Sequence, residues 1–242
     1  IIKGAWIDQA SRRITSPAAS RKRWAALDVA RFGDDLCVLY LGIGTKPVKK
    51  IVWGQKPADY TANRTLAEVR LFGPDITVID GTGVGGPVGD MLVSMGLDCL
   101  IAETGAAASD PTRYVNLRAE IWDRAAMVFA AGDVAWDGEL KDEELTAELQ
   151  WARYEYRAGG RLLVAPKEES KEKFGRSPDS ADAFLLGLAA MEYLEHKAYQ
   201  RGESLGLRRA ERPESKLAED PPHNSFAWLE LQKAQAANRR WR

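Results

Sequence analysis

Four aspartates stand where carboxylates are costly unless they have something to do. Asp28 lies in Trp24-Ala-Ala-Leu-Asp-Val-Ala30 and is the one polar side chain of that run. A buried carboxylate without a partner is expensive, so hydrogen bonds, a cation or a metal must compensate it. Asp80 closes the apolar stretch Ile76-Thr-Val-Ile-Asp80 and is followed at once by Gly81-Thr-Gly-Val-Gly-Gly86. Ligands of open α/β sheets gather at the carboxyl ends of strands, and glycines let a backbone pass close to whatever Asp80 holds. Asp179 and Asp182 are three apart in Ser177-Pro-Asp-Ser-Ala-Asp-Ala183, which puts them on one helix face at the mouth of the apolar run 183–190. Taken singly, each has a plainer reading: turn capping for Asp28 and Asp80, and a favourable helix dipole for the other two. Brought together, such acids repel one another unless divalent cations lie among them. Oxygen-only ligation points to Mg²⁺ or Mn²⁺. Two such ions about 3.5–4 Å apart form the clamp used for in-line phosphodiester hydrolysis.

The rest of the composition narrows the chemistry to acids. The 242 residues include two histidines, His196 and His223, and two cysteines, Cys37 and Cys99, both inside apolar runs. A Ser-His-Asp mechanism, a histidine-rich metal site, a cysteine-ligated zinc and a disulfide scaffold are all disfavoured, and a reducing compartment is favoured. With 45% apolar and 29% charged residues, the chain reads as an ordinary globular protein. The net charge of −1 is unevenly spread, because residues 197–242 carry ten Lys and Arg against six Asp and Glu. An acidic body with a basic tail is not the footprint of a protein that merely coats nucleic acid, yet it suits one that holds metal ions against it. No apolar run approaches 18 residues and no signal pattern is present, so no membrane span or secretion is expected.

The elements that must carry these acids follow from periodicity. Residues 5–14 form an amphipathic lead-in, broken at Ser16 and Pro17. Three apolar runs at 24–30, 36–43 and 50–54 are separated by turns too short for a helical crossover, which predicts two successive antiparallel hairpins. A helix ending at Gly73-Pro74 comes next, then a strand at 76–80, a helix at 86–96 and a strand at 98–102. Helices over 113–131 and 139–154, a late strand at 161–165 and a helix over 177–195 complete the body, the last with Ser177 as N-cap and Pro178 at its first position. Beyond residue 196 the composition suggests a flexible tail, with a short helix at 226–237. Trp122, Trp136 and Trp151 occupy core-like positions. Three antiparallel strands followed by alternating helix and strand give the α/β element order of the ribonuclease H-like fold, a mixed sheet of five strands or slightly more flanked by helices.

In this arrangement the sequence resembles the nuclease domain of the large terminase subunit of tailed bacteriophages. The matching stretches are Ala26-Leu-Asp-Val-Ala-Arg-Phe-Gly-Asp-Asp35, Val78-Ile-Asp-Gly-Thr-Gly-Val-Gly-Gly86, Asn116-Leu-Arg-Ala-Glu120 with Trp122, and Lys167 through Asp182. The resemblance spans roughly residues 23–193. It implies a metal-dependent endonuclease that cuts concatemeric double-stranded DNA during genome packaging, with two Mg²⁺ or Mn²⁺ ions. Asp28, Asp80 and Asp182 match the three metal-binding acids, and Asp179 falls where a further ligand often stands. Asp28 would bridge both ions, Asp80 would hold one, and Asp182, with Asp179, the other. Arg31, Arg113, Arg118, Lys167, Lys171, Lys173 and Arg176 are the candidates for positioning phosphates. The resemblance further implies residues 1–20 as the remnant of a linker from an N-terminal ATPase motor, 21–196 as the nuclease domain and 197–242 as the basic tail. Its partners would be the motor, the small terminase subunit and the capsid portal, in the cytoplasm of an infected bacterium. No Walker A pattern occurs in the chain.

Two other classes compete. Gly81-x-Gly83-x-x-Gly86, with Glu103 beyond it, formally matches a dinucleotide-binding turn, but three strands precede it where such a turn normally opens its domain. An actin-like nucleotide-binding domain shares the Asp on strand one but needs a second similar half. A packaging module with a nuclease-like fold and no catalysis is the remaining alternative.

Overall fold

The computed structural model describes residues 1–13, 21–30, 36–135, 140, 142–195 and 207–209. Strand β1 (Arg23–Asp28) pairs antiparallel with β2 (Leu36–Ile43), which pairs antiparallel with β3 (Lys46–Gly54). Strand β3 begins four residues earlier than its apolar run predicts. Lys46 and Pro47 pair with Ile43 and Gly42, so the turn narrows to Gly44-Thr45, with Gly44 at φ 58°. Helix α2 (Ala58–Phe72) ends at Gly73, whose left-handed backbone closes the helix on the Val69 carbonyl. Strand β4 (Ile76–Asp80) then lies parallel to β1, and after α3 (Gly85–Ser94), β5 (Leu100–Ala102) lies parallel to β4. The order β3-β2-β1-β4-β5 is the mixed five-stranded sheet of the ribonuclease H-like fold. A short strand β8 (Leu207–Arg209) from the segment expected to be flexible adds antiparallel to β5 as a sixth.

Two layers of helices cover the sheet. Alternation along the strands sends Ala25, Leu27, Leu39 and Ile79 to the face under α2 and α3, and Trp24, Ala26, Tyr40 and Val78 to the other. That second face is covered by α7 (Asp179–Glu195), which crosses β1, β2 and β4 and is backed by α4 (Leu117–Ala131) and α5 (Glu143–Trp151). Trp24 fixes how α7 sits. Its ring lies over its cross-strand partner Gly42 and beneath Gly187 of α7, and a Cβ on either glycine would come within 2.1 Å of it. Its indole N–H donates to the Gly44 carbonyl at 2.8 Å. Helix α1 (Gly4–Ser11), inside the stretch read as a linker, buries Ile7 and Ala10 and contacts α4 and α5.

Several boundaries depart from the periodicity. Helix α4 starts at Leu117, because the Asn116 side chain caps it by accepting from the Ala119 N–H at 3.0 Å, while Tyr114 bridges to Leu162. Asp142 caps α5 in the same way, accepting from Leu145 N–H at 2.9 Å. Tyr154 leaves α5 for a hairpin absent from the predicted elements, β6 (Tyr154–Arg157) and β7 (Arg161–Val164), so the late strand pairs there and stays out of the main sheet. A further helix, α6 (Lys167–Phe174), follows. Helix α7 begins at Asp179, one residue beyond the expected first position at Pro178: the Pro178 carbonyl accepts the Asp182 N–H, which leaves Ser177 outside the cap. Trp122 is buried and Trp151 half-buried, whereas Trp136 and the helix expected at 226–237 lie outside the described residues. Both cysteines are buried and free. No helix among the described residues is long and apolar enough to cross a membrane.

Candidate active site

Parallel pairing of β1 and β4 sets Leu27 beside Ile79, so Asp28 and Asp80 end neighbouring strands at the same edge of the sheet. Each is in phase with the residues of its strand on the α7 face, Trp24 and Ala26 or Ile76 and Val78, and therefore faces α7. Helix α7 begins at that edge and delivers Asp179 and Asp182. Both strand aspartates are only 5% exposed.

The four acids are held differently. Asp28 has one hydrogen-bonding partner among the described residues, the Lys167 ammonium, 3.2 Å from Oδ2. Burial pushes its carboxyl up to about 7; Lys167 opposes the shift, while Asp80, Asp179 and Asp182 add to it. Asp182 takes Lys167 at 3.1 Å, Arg118 Nε at 3.2 Å and the Trp122 indole N–H at 2.9 Å. Burial alone would raise its carboxyl, but Arg118, Lys167 and Trp122 outweigh burial and hold it below the usual carboxylate range. Asp80 accepts the Thr82 N–H at 3.0 Å and the Thr104 hydroxyl at 3.2 and 3.3 Å. Asp179 accepts the Leu36 N–H at 3.2 Å.

Of the basic residues singled out from sequence, Lys167 and Arg118 reach this cluster. Burial works to discharge Lys167, but Asp182, Asp28 and Asp80 together keep it charged. The Arg118 guanidinium is taken up by Asp182 and by the Ala165 carbonyl at 2.9 Å. Arg113 pairs with Asp123 at 3.2 Å, away from the four acids. Arg176 turns toward Glu144 and Glu148 of α5 and lies over Trp151. Lys171 and Lys173 are exposed on α6. Arg31 lies outside the described residues.

Sequence reasoning missed the indole of Trp122 as a partner of Asp182, since an apolar helix position gives no sign of it. It missed Thr104, a polar residue in a loop. It also missed the β6–β7 hairpin, although Arg157-Ala-Gly-Gly-Arg161 between Tyr154-Glu-Tyr156 and Leu162-Leu-Val164 is a legible turn signal.

As the side chains lie, no three His, Cys, Asp or Glu among the described residues close around a single point. The donor set nevertheless suits hard divalent cations. It consists of carboxylate oxygens only, on a shared edge, with a protein cation already between Asp28 and Asp182. The glycines after Asp80 are explained by packing. A Cβ on Gly85 would come within 1.7 Å of the Asp80 carbonyl, and one on Gly81 within 2.4 Å of Ile101, so the turn folds tightly onto β4 and β5. With β2 and β3 antiparallel ahead of it, this is not the setting of a dinucleotide-binding turn.

No protein-family model matches the sequence, and no curated protein matches it. Solved structures do. A lysine-to-alanine mutant of the nuclease domain of the large terminase subunit gp2 of bacterial virus Sf6, with manganese and beta-thujaplicinol, superposes with a TM-score of 0.67 at 19% identity, over 77% of this chain and 97% of that one. This chain has the fold of a phage large-terminase nuclease domain. Two further terminase nucleases agree. That of thermophilic phage G20c with bound magnesium gives a TM-score of 0.55 at 15% identity, over 76% of this chain and 95% of that one. That of Thermus phage P74-26 gives 0.54 at 14%, over 80% and 95%. These matches cover 76–80% of this chain.

Proposed function

We propose that this chain is the nuclease domain of a phage large terminase subunit, with residues 21–196 as its catalytic unit and double-stranded DNA as its substrate. The observation that carries this reading is the convergence of Asp28, Asp80, Asp179 and Asp182 at one edge of a terminase-nuclease fold. Asp28, central among the acids, would face both of two divalent ions, Asp80 one of them, and Asp182 with Asp179 the other. When bound, such a pair activates the attacking water and stabilises the leaving 3′ oxygen. The chain itself supplies orientation: Trp122 and Arg118 fix Asp182, Thr82 and Thr104 fix Asp80, and Lys167 offsets part of the charge on Asp28 and Asp182. Supercoiled plasmid incubated with the protein and Mn²⁺ or Mg²⁺ is expected to be nicked and linearised, and EDTA to stop it. Cleavage indifferent to EDTA would refute the reading.

The acid cluster also dictates a pH dependence. Asp28, raised to about 7, and Glu148, raised to about 8 by burial, bind protons in the folded chain that an unfolded chain releases near pH 4. Metal-free stability therefore falls as pH rises from about 4 to 8. Asp182 acts oppositely and only below about pH 4, where protonation removes its stabilisation. Mn²⁺ must displace the Asp28 proton, so its apparent affinity is expected to weaken by up to about tenfold per pH unit below 7. Thermal shift at pH 5.5 and pH 8 checks this: the Mn²⁺-induced rise in Tm should be larger at pH 8. An equal rise at both would remove Asp28 from the metal site.

The substrate face extends along the β6–β7 hairpin. Its base adjoins the site, where Ala165 donates to the Arg153 carbonyl and accepts from Arg118. Its outer half carries Tyr156, 72% exposed, with Arg157 and Arg161 on either side of Gly159-Gly160. The Arg157–Glu155 pair is solvent-exposed and weak, so the guanidinium remains available to phosphate. Replacing Arg157 and Arg161 together by Ala is expected to weaken DNA binding and to reduce the slope of log K against log salt by about 2. Mn²⁺ binding should be unchanged. Fluorescence anisotropy across a salt series measures it, and an unchanged slope would place the hairpin away from DNA.

A further inference from the structure

We infer that Thr104, relayed by Thr82, is the residue that positions the Asp80 carboxylate for divalent-cation binding; this rests on the reading of Asp80 as a metal ligand. Strands β4 and β5 are parallel neighbours with Asp80 beside Ala102, so the residues two beyond each, Thr82 and Thr104, emerge side by side from the same edge. Their hydroxyls are 3.0 Å apart. The Thr104 hydroxyl lies 3.3 Å from Asp80 Oδ1 and 3.2 Å from Oδ2, and the Thr82 N–H lies 3.0 Å from Oδ1.

Counting protons fixes the direction of this relay. An ionised carboxylate only accepts, so Thr104 gives its one hydroxyl proton to Asp80. Thr104 then has none for its neighbour, and the proton between the two hydroxyls comes from Thr82. Each bond in such a chain polarises the next. The shared hydroxyl sits nearly equidistant from both oxygens and locks the carboxylate plane, while the remaining lone pairs stay available to cations.

Thr104 also ties the two halves of the site together. Its carbonyl accepts the Arg118 N–H at 2.9 Å in the first turn of α4. Arg118 and, one turn on, Trp122 are the groups that hold Asp182. One loop residue therefore sets Asp80 through its side chain and anchors the supports of Asp182 through its backbone.

Thr104→Val keeps the shape and backbone and deletes only the hydroxyl. Partners that orient metal ligands are worth about 10–100-fold in metal affinity. Mn²⁺ titration by calorimetry or electron paramagnetic resonance should show Thr104→Val weakened by that factor and Thr104→Ser close to wild type. The metal-free protein should stay folded with either change, with Thr104→Val lowering Tm by no more than the roughly 3–12 °C expected of one lost hydrogen bond to a carboxylate. Thr82→Val, which removes only the outer link, should show a smaller loss of the same kind. Tight Mn²⁺ uptake by wild type and Thr104→Val alike would overturn the positioning role alone. A Thr104→Ser protein as weak as Thr104→Val would also overturn it, because the hydroxyl would not be the cause. Failure of the wild type to take up millimolar Mn²⁺ would instead overturn the metal site, and the positioning role with it.

Discussion

Asp28→Asn and Asp182→Asn are expected to abolish metal-dependent cleavage alike and to move stability in opposite directions. Each removes a charge that divalent cations need, and the loss should exceed the ~100-fold that follows from removing a merely supporting residue. Their metal-free behaviour separates them. Asp28 is buried with one ionic partner among the described residues and three acidic neighbours, so at pH 8 its ionised form is a burden on the fold. Asn relieves that burden, and the Tm at pH 8 should rise. Asp182 is the anchor for Arg118, Lys167 and Trp122. Neutralising it leaves two cations partly buried without their main counter-charge, at a cost of about 3 kcal/mol. The Tm should fall. Plasmid cleavage together with calorimetry at pH 8 tests both; active Asp28→Asn protein, or two Tm shifts of the same sign, would contradict the assignment.

Gly187→Ala is expected to be among the most damaging single-methyl changes in the chain. The added Cβ would come within 2.1 Å of the Trp24 ring, which is fully buried and cannot retreat, because Gly42 lies equally close on its other side. Overpacking of this kind costs about 1–3 kcal/mol, and a contact this short belongs at the upper end. At about 2–4 °C per kcal/mol for a chain of this size, Tm should drop by about 10 °C. Trp24→Leu alone should cost a similar amount by leaving a cavity, yet combined with Gly187→Ala it should cost less than the sum, since the smaller side chain admits the methyl. Additive losses would mean that the ring and the glycine do not meet. Activity should fall with stability, because Gly187 lies little more than one turn beyond Asp182 and the seat of α7 on Trp24 sets where both helix aspartates arrive.

What could be read from the sequence was the part governed by local pattern. The hairpins, the parallel strand ending in Asp80 and the apolar helix behind Asp182 are all written in periodicity, and the acids stood out because apolar surroundings make a carboxylate conspicuous. Legibility ended where side chains override pattern. Asn116 and Asp142 cut two helices short by capping them, and Tyr154, in phase with a helix, goes instead to a hairpin where its hydroxyl donates to Asp123 at 2.8 Å. The basic residues were the least legible. Charge alone does not tell Lys167, inside the acid cluster, from Arg176, which serves Glu144 and Glu148, and only the fold separates them.

Helix α6 buries no residue, although its first side chain, Lys167, reaches into the acid cluster. Its other end is tethered by Phe174, stacked on Trp151 with ring centroids 4.4 Å apart. The ammonium can therefore be withdrawn while the hydrophobic core stays as it is. Under the proposed function the site is a socket with a removable plug: the Lys167 ammonium offsets part of the acids' charge, and an arriving cation would exchange for a charge the chain already carries. Chelators should accordingly silence such a nuclease without unfolding it, and reactivation should need no refolding.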